Sequence, residues 1–145
     1  MSLGEMTRDR WMAYGIFRLA LGINILIHGV GRIFGPGATG FATKTAEEFG
    51  ATSLSHWAVY GFLLALPFFE AALGVFLTLG LFTRWALAVG GLLMVCLIFG
   101  TAMRSDWTTV GIQMIYSITY FLLLFYRRYN VFSVDSLAAR SRAGT

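Results

Sequence analysis

The sequence predicts an all-α integral membrane protein, a four-helix transmembrane bundle with both termini in the cytoplasm. Of its 145 residues, 57% are hydrophobic and only 12% charged, with a mean hydropathy of +0.71, whereas soluble domains carry about 25% charged residues. Apolar runs at about 12–34, 57–81, 85–102 and 109–126 are each long enough to cross a bilayer core as helix. The connections between them are short, so residues 1–145 form a single transmembrane domain with no room for a soluble domain of ordinary size.

Other classes are disfavoured by the same composition. The net charge of +4 is spread over termini and loops, not gathered in a stripe with interleaved aromatics, which argues against nucleic acid as a partner. The single cysteine, Cys96, excludes an intrachain disulfide and any CxxC metal or redox motif. In its apolar run it reads as a small hydrophobe.

A polar head, Met1 to Arg10, precedes the first apolar run. That run is too long for a cleaved signal peptide and carries Arg18 inside it. Arg18, Asn24, His28 and Arg32 interrupt the span, and at about 100° per residue all four fall on an arc of roughly 120°. Polar groups so placed should face protein or trapped water. Phe34-Gly35-Pro36-Gly37 ends the helix.

The connection from Ala38 to His56 is polar. Its Thr45-Ala46-Glu47-Glu48 matches a capping box, and Phe41, Thr45, Glu48 and Phe49 recur at helical spacing, consistent with a short amphipathic helix in this first outer loop that could act as a lid. The alternative is a plain surface loop. Trp57 marks the interface at which the second span begins. This span holds Pro67, which predicts a kink, and Glu70, the one acid within an apolar run and the natural partner for Arg18.

A short turn at Leu81 to Arg84 makes spans two and three antiparallel neighbours. Gly90 and Gly91 give the third span a small surface for close helix approach. The fourth span is more polar, with Gln113, Tyr116 and Tyr120 at spacings that share one face. Arg127 and Arg128 close it, and residues 129–145 read as a cytoplasmic, poorly ordered tail. The head, the Arg84 turn and the tail carry more Arg and Lys than the other connections, which places both termini in the cytoplasm.

Arg18-Leu-Ala-Leu-Gly22, His28-Gly29 with Arg32, Gly40-Phe41, Glu70-x-x-x-Gly74 and Leu79-Gly80-Leu81-Phe82-Thr83-Arg84 together resemble the DoxX family, from about Tyr14 to Tyr126. Members are similar four-helix proteins of the bacterial inner (plasma) membrane, and the best-defined relative belongs to thiosulfate:quinone oxidoreductase. The resemblance therefore implies redox work at the quinone pool. The lysine usual after the His-Gly pair is Arg32 here, which keeps the charge but not the chemistry.

Two functions follow from different classes. In one, the chain is the membrane component of a quinone-linked oxidoreductase. Glu70, Arg18 and His28 handle protons, while His28, Arg32, Asn24, Tyr116 and Gln113 receive a quinone headgroup. Electrons come from a redox partner protein or larger membrane complex, because the chain has no dinucleotide fingerprint. In the other, it is a non-catalytic anchor or scaffold in which Arg18 and Glu70 form a structural pair. A homo-oligomer is compatible with both. Haem bound between His28 and His56 is disfavoured for want of a spacing motif, and no metal site is expected.

Overall fold

The computed structural model describes residues 3–143; Met1, Ser2, Gly144 and Thr145, at the outer ends of the head and the tail, lie outside the described residues. The elements are α1 (Leu3–Phe34), α2 (Gly37–Glu47), α3 (His56–Leu79), α4 (Thr83–Met103), α5 (Trp107–Phe125), a single 3-10 turn at Arg127–Tyr129 and α6 (Val134–Ala143). Helices α1, α3, α4 and α5 are long and apolar enough to span a membrane.

Packing falls into two pairs, α1 with α3 and α4 with α5, joined by lighter contacts of α3 with α4 and α1 with α5. Spans two and three are sequence neighbours through their short turn, yet α3 lies chiefly on α1. Glycine explains this. A Cβ at Gly22 would sit 2.6 Å from the Thr78 nitrogen, one at Gly29 would sit 2.4 Å from the Ala71 nitrogen, and one at Gly74 would sit 2.4 Å from the Leu26 Cα. The two backbones touch where side chains are missing, which is how membrane helices gain dispersion contact without a hydrophobic drive to associate. In the other pair the ring of Tyr120 lies over Gly90, so close that a Cβ there would be 2.3 Å from it. The core between the pairs is Tyr14, Leu21, Ile25, Leu73, Leu77, Leu87, Met94 and Leu123.

Two local expectations change. The amphipathic helix is present, but it begins at Gly37, directly after Pro36 at its N-cap, and not at Thr45. Proline suits the first turn of a helix, where an N–H has no partner to lose, so the Thr45-Ala46-Glu47-Glu48 stretch falls at the other end of α2. Its buried face is Ala42 and Ala46, seated on Val59, Leu63 and Leu66 of α3. Helix α3 continues through Pro67, as a proline-kinked helix can.

The tail is also more structured than its composition suggests. Residues Val134–Ala143 are helical, Ser133 is buried, and the Asp135 carboxylate accepts from the backbone N–H groups of Phe82 and Thr83, both at 2.8 Å. Phe82, at φ 47°, begins α4 with no capping side chain of its own. Asp135 supplies that cap from far along the chain.

Candidate functional site

Arg18 and Glu70 do not pair. The Arg18 guanidinium, buried at 4% exposure, donates to the carbonyls of Leu77, Thr78 (3.1 Å) and Phe132 (2.7 Å). It therefore caps the last turn of α3, where carbonyls lack helical partners, and ties the tail to it. The helix register explains the difference. With Gly22 against Thr78, Leu26 against Gly74 and Gly29 against Ala71, Glu70 lies opposite Val30, roughly 18 Å along the axis from Arg18 at about 1.5 Å per residue.

Arg32 takes the place expected of Arg18. Its Nη1 donates to both carboxylate oxygens of Glu70, and the side chains are 28% and 6% exposed. The Arg32 guanidinium also lies over the Phe41 ring of α2, 4.6 Å from its centroid. One cation thus joins α1, α2 and α3. At the other end of α2 the arrangement repeats: Arg104 lies 5.0 Å from the Phe49 centroid and pairs with Glu48 at 2.6 Å.

Beneath α2, and between these two arginines, is a cleft of about 590 Å³. Phe41, Phe49, Phe62, Leu66, Leu97 and Phe99 make its wall largely apolar, and Cys96 also faces it. Polar groups come from Arg32, Arg104, Thr101, Thr109 and Gln113. Gln113 Nε2 donates to Thr101 Oγ1 at 3.0 Å, while Gln113 Oε1 is buried with no protein partner. An unpaired buried acceptor is costly, and a ligand donor reaching the cleft would satisfy it.

The remaining predicted site residues lie apart from this wall. The four polar residues of α1 do not share a buried face: Asn24 and His28 are exposed, Arg32 is half-buried and Arg18 is buried at the far end. Tyr116 donates to Asn24 Oδ1 at 2.9 Å, which joins α5 to α1 on the outside of the bundle. His28 stands within electrostatic range of Glu70. Tyr120, on the same face of α5, is buried against Gly90 with its hydroxyl unpartnered. Gln113, Tyr116 and Tyr120 thus serve three surroundings. His56 stacks on Tyr60, with centroids 6.5 Å apart, at the start of α3.

The DoxX family model matches residues 13–103. The chain belongs to the DoxX family. The DoxX match spans most of α1 and all of α2, α3 and α4, and so covers Arg18, Arg32 and Glu70 but not α5 with Gln113, Tyr116 and Tyr120. No curated protein and no solved structure matches this DoxX chain. Sequence reasoning placed Phe41 and Phe49 on a possible lid but missed Arg104 and the stacking of an arginine on each of the two rings. The signal for them was there: each aromatic of the first connection is matched by an arginine at a span end on the same side.

Proposed function

We propose that this DoxX protein holds a quinone in the cleft beneath α2, as the membrane component of a quinone-linked oxidoreductase. The observation that carries this is a largely apolar cleft of ligand size with Arg32 and Gln113 among its lining residues, the Gln113 Oε1 being buried without a partner. Ligand pockets commonly measure about 300–1,000 Å³, with a few polar groups fixing orientation. Arg32 can donate to a carbonyl oxygen, and Gln113 can accept from a hydroxyl. A bound quinone supplies two-electron, two-proton chemistry. Glu70, held behind Arg32, and His28, nearer the surface, form a route by which protons can reach the cleft. Electrons come from a partner protein. Arg18 is left out of this scheme, since it holds α3 and the tail together.

A non-catalytic anchor is the alternative, and it is favoured by the exposure of Asn24 and His28, whose polar groups gain from a protein neighbour within a bilayer. Purified protein in mild detergent separates the two. Quinone extracted per chain should be near stoichiometric and fall to background in Gln113→Leu and in Ala58→Phe, which fills the cleft. Equal background in all three proteins would refute the quinone site. Turnover with a quinol then decides the role of Glu70: Glu70→Gln stops turnover while retaining quinone if the residue carries protons, and leaves turnover intact if it is architectural.

A further inference from the structure

A second groove, about 560 Å³ in volume, opens at the opposite end of the bundle, where α1 enters and α5 leaves. Its floor and walls are apolar, with Phe17, Leu122 and Tyr126 among the lining residues, and its rim carries Arg10 and Arg128. Both charges lie near the ring of Tyr129. The Arg10 guanidinium is 5.9 Å and that of Arg128 4.8 Å from its centroid, and Arg10 Nη1 donates to its hydroxyl oxygen at 3.3 Å. The ion pairs among the described residues use Arg32 and Arg104, leaving neither Arg10 nor Arg128 with a carboxylate. Burial pushes the Tyr129 hydroxyl up, yet hydrogen bonds and charge from Arg128 and Arg10 outweigh it and hold the group below the usual tyrosine value. The local field is positive, and no ion pair among the described residues neutralises it.

We infer that this groove binds an anionic phospholipid, its phosphate between Arg10 and Arg128 and an acyl chain along Phe17 and Leu122. The depth favours a lipid. Tyr126 follows the last residue of α5 and Arg127 and Arg128 come next, so the two charges sit where a spanning helix meets headgroups. Apolar walls below a cationic rim match the two ends of such a molecule. Basic pockets between spanning helices recognise anionic headgroups in this way. A free phosphate shares the headgroup chemistry but has no use for the apolar walls.

The test uses the full chain in nanodiscs of equal phosphatidylglycerol and phosphatidylcholine, with retained lipid counted by native mass spectrometry. Phosphatidylglycerol should be retained preferentially, and the preference should fall roughly five-fold for each arginine removed in Arg10→Gln and Arg128→Gln, from about 1 kcal/mol per charge. Arg84→Gln removes an arginine that lies over Trp85 outside this groove, and should leave the preference unchanged. An equal loss in Arg84→Gln would overturn the site in favour of general surface charge. Displacement by inorganic phosphate would overturn the lipid. Equal retention of both lipids by the unaltered chain would overturn the proposal without any variant.

Discussion

Nη1 of Arg32 donates to both carboxylate oxygens of Glu70, and the same guanidinium rests on the Phe41 ring. The ion pair sits under α2 at the edge of the cleft, so three helices and the candidate site depend on one side chain. Its two members are unequally buried, at 28% and 6% side-chain exposure, and this asymmetry has a measurable consequence.

Removing the more exposed partner should hurt more than removing the buried one. Arg32→Ala strands a carboxylate that water scarcely reaches, and breaking a buried pair this way costs about 3–5 kcal/mol. Glu70→Ala leaves a guanidinium that can turn toward the headgroup region, at a smaller cost. The double variant should lie well short of the sum. Phe41→Leu removes only the ring contact, worth about 0.5–1 kcal/mol. Thermal unfolding in detergent, followed by circular dichroism, measures all four. Additive losses would mean that the pair contributes no coupling.

Glycine substitutions should divide by what their Cβ meets. At Gly29 it would meet the Ala71 nitrogen at 2.4 Å and the Pro67 carbonyl oxygen at 2.5 Å, both backbone atoms that cannot move aside. Gly29→Ala should therefore push α1 off α3, costing about 1–3 kcal/mol, and carry Arg32 away from Glu70. At Gly61 a Cβ meets nothing within 4 Å. Gly61→Ala should be neutral or stabilise by up to about 1 kcal/mol through helix propensity. Equal effects at the two positions would remove the close-approach account of the α1 and α3 pair.

The number of spans was legible in the sequence because an apolar run of bilayer length has few other readings. Which cation meets Glu70 was not. That depends on the register of α1 against α3, and the long connection containing α2 does not constrain it. The information resides instead in Gly22, Gly29 and Gly74, whose contacts place Glu70 beside Arg32. Helical phase alone grouped Arg18, Asn24, His28 and Arg32, but phase says nothing about depth, and Arg18 belongs to the far end. The tail misled through composition. It is polar and short, yet the Asp135 carboxylate caps the start of α4 and the Phe132 carbonyl accepts from the Arg18 guanidinium of α1.

The start of α5 should loosen in acid. Asp106 caps this helix: its carboxylate accepts from the Thr109 hydroxyl at 2.6 Å and from the Thr109 N–H at 3.1 Å. These bonds, the hydroxyl first, with Arg104 nearby, hold the carboxyl below the usual aspartate value. A group whose pKa is lower folded than unfolded contributes stability that is full above its unfolded pKa and is lost as pH falls through the folded one. Amide exchange at Thr109 and Val110 should accelerate, relative to the intrinsic rate, across that acid range. In Asp106→Asn, which keeps a capping oxygen but cannot titrate, the acid-dependent step should disappear. Its persistence would assign the step to another group.

The tail should behave as part of the bundle. Asp135→Ala removes the acceptor for the Phe82 and Thr83 N–H groups, and loss of such a cap costs about 1 kcal/mol. Ending the chain after Val131 removes that acceptor together with the Phe132 carbonyl, leaving one Arg18 nitrogen buried without its partner. The truncation should therefore cost more than Asp135→Ala by about the 1–3 kcal/mol of an unmet buried donor. Arg18→Met removes the need for that carbonyl, so truncation should cost less in the Arg18→Met background than in the unaltered chain. Thermal unfolding of the four proteins decides it: equal costs in both backgrounds would show that Arg18 does not hold the tail, and that α6 docks through Asp135 alone.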